Sequence, residues 1–209
     1  MNTSRACALF LCAITASLAP GCGALSGKAE PGAPRFFSLG RAPDRPDGFA
    51  ASPGAPGDPA ELRLGRITGA PHLEERLVFR NSADEINYYR ELRWTEPPEE
   101  FLKRLLERAL FEERGLRHVV GGAGPTLDAQ LTAFDEVRVP QHLARAQVAA
   151  RLHDDHLVLW EETLTVDRPV VERKDGDLAA ATVDALGRAM QAAVDQVADR
   201  VLRKLEERI

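Results

Sequence analysis

By residue type, four features of this chain could do chemistry. They are His153-Asp154-Asp155-His156, the cluster Gly121-Gly122-Ala123-Gly124-Pro125, the acids Glu161 and Glu162 beside Trp160, and the histidines His72, His118 and His142. Two imidazoles flanking two carboxylates are the right donors for a divalent metal. Residues adjacent in a tight turn aim in different directions, however, and no further ligand is spaced to close a tetrahedron. The run from His153 to His156 therefore reads as a hairpin turn. The glycine cluster lacks the Lys-Ser/Thr of a phosphate-binding loop and reads as another turn. Glu161 and Glu162 are consecutive in a strand-like run and point to opposite faces, so they do not form an acid/base pair. His72, His118 and His142 are each isolated, with no Ser or Cys nucleophile in a recognisable elbow nearby. Beyond residue 60 the only serine is Ser82, in a polar stretch. The expectation is no catalytic, cofactor or metal site, and a protein that is not an enzyme.

One thiol has a different chemistry open to it. The chain begins MNTSRACALFLCAITASLAPGC, with Arg5 as a short positive region and an uncharged, mostly apolar stretch from Ala6 to Leu18. That stretch has the length of a signal-peptide core and is too short to span a bilayer. Ala19-Pro20-Gly21 then leads directly into Cys22. This arrangement resembles a bacterial lipobox, with Ala19 where Leu is usual. In a lipobox the cysteine sulfur becomes a thioether to diacylglycerol and the freed amine is acylated, commonly with palmitate. Removing residues 1–21 takes away Cys7 and Cys12 and leaves Cys22 as the only thiol, so no intramolecular disulfide can form. Each buried methylene contributes about 0.8 kcal/mol, so three acyl chains would hold the protein on a membrane almost permanently. The residue after the cysteine is Gly23 rather than the Asp that retains many lipoproteins at the inner membrane. The expected location is the outer membrane, lipid-anchored and facing the periplasm.

Composition narrows the remaining classes. The chain has 209 residues, 44% hydrophobic and 28% charged, with a net charge of -5. An acidic balance disfavours a general nucleic-acid binder. Removing residues 1–21 removes Arg5 and no acid, which makes the mature balance 26 minus 32, or -6.

The pattern along the chain gives the elements. Residues 22–34 are the lipidated cysteine and a Gly/Ala/Pro tether; extended, residues 23–34 reach about 37 Å at ~3.1 Å per residue. The folded domain is expected over 35–209, with residues 42–59 as a Pro/Gly-rich loop. Strands are expected at 35–39, around Leu62–Ile67, at 77–80 and 86–92, briefly at 116–120, and in three longer runs near 127–132, 144–152 and 158–166. Thr95 is expected to cap a helix opened by Pro97 and Pro98, with Phe101, Leu102, Leu105, Leu106, Ala109 and Leu110 as its buried stripe, ended by Gly115. Val183, Leu186, Met190, Val194, Val197, Val201 and Leu205 recur at helical spacing, so 177–207 forms a long amphipathic helix. The expected fold is α+β, a mainly antiparallel sheet covered by two helices.

The segment from Leu77 to Leu110 resembles the PqiC-like family of ABC-type transport auxiliary lipoproteins. The residues that carry the likeness are Arg80 after an apolar pair, Glu85-Ile86, Tyr88-Tyr89, and Arg93-Trp94-Thr95-Glu96-Pro97-Pro98 opening a helix. Phe36-Phe37-Ser38-Leu39 matches the family's YYxL-like first strand, and Pro71-His72-Leu73 its Pro-x-Leu element. Thr95 replaces the usual Ala. The resemblance implies a non-catalytic outer-membrane lipoprotein that accompanies an MCE-domain protein and an inner-membrane permease and ATPase. Such systems move lipids between the two membranes, and this protein would dock the periplasmic conduit to the outer membrane, singly or as a homo-oligomeric ring. Tyr88, Tyr89, Arg93 and Trp94 are candidate partner contacts, with core packing at the strand–helix junction the preferred reading of the three aromatics. Arg93 and Glu96 either pair locally or meet a partner. Two alternatives stay open: an envelope-assembly or secretion-pilot lipoprotein, and a lipid-anchored hydrolase or binding module.

Overall fold

The structure is a computed structural model, and it describes residues 32–39, 59–122 and 124–208. The chain divides into Met1–Pro31 and Gly32–Ile209, and every described residue belongs to the second unit. The expected signal peptide (1–21), Cys22, most of the expected tether and nearly all of the expected loop 42–59 lie outside the described residues.

Eight strands form one mixed sheet: β1 (Arg35–Phe37), β2 (Glu61–Gly69), β3 (Arg76–Arg80), β4 (Asn87–Trp94), β5 (Arg117–His118), β6 (Thr126–Val137), β7 (Leu143–His153) and β8 (Val158–Pro169). The α1 helix (Pro98–Glu107) and the α2 helix (Leu178–Glu206) complete an α+β fold. The long ladders are antiparallel: β6, β7 and β8 form a meander, from Thr126↔His153 to Val137↔Leu143 and from Leu143↔Pro169 to His153↔Val158. The short ladders are mostly parallel. Both β2 and β3 run parallel to β6 along its other edge, β2 beside the first half and β3 beside the last three residues. Together they line that side of β6, with residues 70–75 between them. β4 then pairs antiparallel with β3, and β1 and β5 add parallel to β4 and β2.

The α2 helix packs on β7 and β8, and all seven positions of its expected stripe are buried. Asp177 caps it by accepting from the Ala180 N–H at 3.1 Å, and Arg35 binds the same carboxylate at 2.5 and 3.2 Å. The Arg35 guanidinium, with the Ala180 N–H, holds this carboxyl below the ordinary aspartate range. The α1 helix starts at Pro98 after Pro97, and Thr95 does not cap it; the Thr95 N–H instead donates to Phe37 O at 2.9 Å. Two consecutive prolines leave few N–H groups that need a cap there. After Glu107 the helix widens to π geometry over Arg108–Glu113, which suits the Arg108–Glu113 ion pair at 3.0 Å, and Gly115 at φ +68° ends it.

Alternation along β6 breaks once. Leu127, Ala129 and Leu131 face the helices, and a register shift at Thr132 then puts Phe134 and Glu136 on that face and Asp135 on the other. Thr132 Oγ1 meets the Gln147 side chain at 2.9 Å at this bulge. At Gly65 the backbone passes so close to β6 that an added Cβ would overlap Asp128 Oδ1 and stand 2.7 Å from Thr126 Cγ2. Gly65→Ala is expected to cost about 1–3 kcal/mol, read as a lower urea midpoint with an unchanged slope.

Candidate functional site

Two consecutive acids at the end of β6 are buried, Asp135 and Glu136, and they organise the polar groups at that end of the sheet. Glu136 lies on the helix-covered face, in register with Ala144. Its Oε1 meets His142 Nε2 at 2.5 Å; its Oε2 accepts from the Tyr89 hydroxyl at 2.5 Å and from Arg138 Nε at 3.2 Å. Arg138 also donates to the Tyr89 oxygen at 2.7 Å, and its guanidinium lies 3.8 Å from the Phe79 ring centre. Phe79 and Tyr89 pack at 5.0 Å. One carboxylate thus binds a phenol, a guanidinium and an imidazole, which fixes β3, β4 and the 138–142 turn to one another.

Burial, with the hydrogen bond to Glu136, pushes the Tyr89 phenol up to about 12 from its ordinary 10.0. A group whose folded pKa is raised contributes stability that is present below its unfolded pKa and lost as pH rises through the folded value. The expected result is a Tyr89-dependent loss of stability between about pH 10 and about pH 12. Absorbance titration of the wild type against Tyr89→Phe checks this, and a difference curve centred near 10 would contradict it.

On the opposite face Asp135 pairs with Arg80, which also donates to Ala83 O at 3.2 Å. Burial, then the nearby Arg80 charge, pushes the His72 imidazole below its ordinary value. The outer face of β6–β8 continues as a ladder of matched polar pairs. Arg145 holds Asp167 at 2.8 and 2.9 Å, Gln147 donates to Thr165 at 2.8 Å and Arg151 to Glu161 at 2.9 Å. The Arg145 guanidinium holds the Asp167 carboxyl below its usual range.

Asp154 makes the β7–β8 turn, accepting from the His156 and Leu157 N–H groups at 2.9 and 2.8 Å, which hold its carboxyl low, and it receives Arg208 at 3.1 Å. His153 contacts Asp128 at 3.1 Å and not His156. Among the described residues, no three His, Cys, Asp or Glu side chains group as metal ligands. Glu161 points outward to Arg151, while Glu162 accepts from Trp160 Nε1 at 3.1 Å and lies 3.6 Å from Arg200 of α2. His118 stacks on Phe111 at 4.2 Å. Trp94 is buried between Phe101 and Phe134, at 5.9 and 5.3 Å. Tyr89 is half-buried in the Glu136 cluster, Arg93 is half-buried beside Phe36 of β1, and Tyr88 is exposed. Glu96 pairs locally with Arg104 at 2.7 Å.

A cleft of about 950 Å³ opens between α1 and α2. Leu39, Phe101, Leu105 and Val183 line its floor, and Arg104, Arg188 and Asp184 stand on its rim. The acid pair at 135–136 was not singled out by sequence reasoning. The available signal was two adjacent acids in a strand-like run, with Arg138 two residues after Glu136 and Arg80 closing another strand-like run.

A family model described as ABC-type transport auxiliary lipoprotein component matches residues 46–201. Among solved structures, a protein of Xanthomonas campestris assigned to family DUF330 is 16% identical, covers 83% of this chain and 98% of its own, and superposes with a TM-score of 0.68. A second, described only as an uncharacterized protein, is 14% identical over 68% of this chain and 92% of its own, with a TM-score of 0.55. At these identities the likeness is one of fold. No curated protein matches the sequence. Because the match spans most of the folded unit, with Arg80, Trp94 and Pro98 at the structural junctions just described, the chain belongs to the ABC-type transport auxiliary lipoprotein family.

Proposed function

We propose that this protein is a non-catalytic lipoprotein of the outer membrane, anchored through Cys22 and facing the periplasm. It docks the outer end of an MCE-domain conduit whose permease and ATPase lie in the inner membrane, and so serves lipid transport between them. The observation that carries this reading is the family match over 46–201, joined to a lipobox-like run ending at Cys22. The side-chain chemistry supports an adaptor. Asp135, Glu136, Asp154, Glu161, Asp167 and Asp177 each already hold a cation or N–H partner. Of the residues named for partner contact, Tyr88 keeps exposed surface and Arg93 part of its own. These two carry the contact proposal, and Tyr89 and Trp94 position the strand that bears them.

A tether of this length keeps the domain close to the membrane, so a conduit that reaches the outer membrane meets it at high effective concentration. The test is crosslinking in cells followed by identification of the bound envelope proteins. Recovery of an MCE-domain protein supports the reading. Recovery of only secretion or peptidoglycan components would overturn it.

A further inference from the structure

Apart from Phe36 on β1 and Tyr88 on β4, the large apolar residues left in solvent lie at the two ends of the sheet, and the two ends differ in their relation to the chain's entry. Leu143 pairs with Pro169, the Val170 N–H donates to His142 O at 3.2 Å, and Arg80 pairs with Val137. The turns 81–86, 138–142 and 170–177 and the start of α2 therefore share one end. Ile86, Val139, Val171 and Leu178 are there, 37%, 58%, 63% and 47% exposed. They come from four separate segments, and none is needed by the core. At the other end are Val120, Leu157 and Val158, near the C-terminus of α2, where Arg208 meets Asp154.

The chain enters at the first end. Arg35 is clamped to Asp177, the residue before Leu178, and β1 runs parallel to β4, so residues 32–34 lead back toward that end. A 12-residue strand such as β8 spans about 40 Å at ~3.3 Å per residue. The tether 23–34 reaches about 37 Å at ~3.1 Å per residue. The far end can touch the bilayer that holds Cys22 only if the tether runs back along the whole sheet at full stretch. The near end needs almost none of that length.

We infer that Ile86, Val139, Val171 and Leu178 form a rim that dips into the phospholipid surface and sets the domain upright on it, with Val120 and Leu157 pointing into the periplasm. The inference rests on the Cys22 anchor proposed above. Four shallow apolar tips add orientation to an anchor that already supplies the affinity. The far end is then the one presented to whatever arrives across the periplasm.

The test uses the full-length protein, matured and lipidated in cells, in phosphatidylethanolamine/phosphatidylglycerol vesicles. Val139→Cys, Val171→Cys, Val120→Cys and Leu157→Cys variants each carry one fluorophore, because lipidation blocks the Cys22 sulfur. All four positions are exposed, so folding is not at stake. Brominated lipid is expected to quench the labels at 139 and 171 several-fold more than those at 120 and 157. Equal quenching, or the reverse order, on protein that floats with the vesicles overturns the orientation and leaves the anchor standing. Protein that does not float overturns the anchor and the inference with it. A spectral shift at 139 and 171 that needs no vesicle and grows with protein concentration would assign the rim to a second copy, and overturns the proposal.

Discussion

Trp94→Ala is expected to destabilise the folded domain by about 3–5 kcal/mol, the range for removing a buried large aromatic. Trp94 is 2% exposed and joins three elements: it lies on β4, meets Phe101 of α1 edge-on, and packs on Phe134 of β6. Its removal leaves a cavity where the sheet meets α1, and the rigid strands around it cannot collapse to fill it. Typical domains are stable by only about 5–15 kcal/mol, so this one change takes a large share of the total. Urea denaturation measures it. A midpoint within experimental error of the wild type would show that Trp94 does not hold this junction.

Glu136→Ala is the second large effect, expected at about 3–5 kcal/mol, because it strands a part-buried guanidinium, phenol and imidazole without their shared acceptor. Glu136→Gln keeps the shape and one acceptor oxygen and is expected to cost less. The contrast is Glu161→Ala on the open face. Arg151 and Glu161 are both about half exposed, so this pair is expected to contribute less than about 1 kcal/mol. Equal losses for Glu136→Ala and Glu161→Ala would contradict the assignment of Glu136 as the organiser of its end of the sheet.

These sites also show what the sequence could and could not reveal. The α2 stripe, the three long strands with the turn between the last two, and the proline start of α1 were legible because periodicity, turn chemistry and proline chemistry are local. The parallel runs of β2 and β3 beside β6 were not, since nothing local sets the direction of a neighbouring strand. The bulge at Thr132 hid the rest. Read in strict alternation from Leu127, Asp135 would face the helices and Glu136 the solvent, and one inserted residue reverses both. The expected Thr95 cap failed because α1 starts at Pro98 with Pro97 at the N-cap position, two residues past Thr95, whose backbone instead continues the pairing with β1 through Phe37. The family-like residues gain physical roles from the structure: Arg80 neutralises buried Asp135, and Trp94 fills the junction core. The expectation for Cys22 rests on its flanking residues alone, and Cys22 lies outside the described residues.

Lipidation of the Cys22 sulfur is tested directly by metabolic labelling with radioactive palmitate. Wild-type protein is expected to incorporate label and to fractionate with the outer membrane, and Cys22→Ala to do neither. Wild-type protein that stays unlabelled and is recovered in the soluble periplasmic fraction would contradict the account.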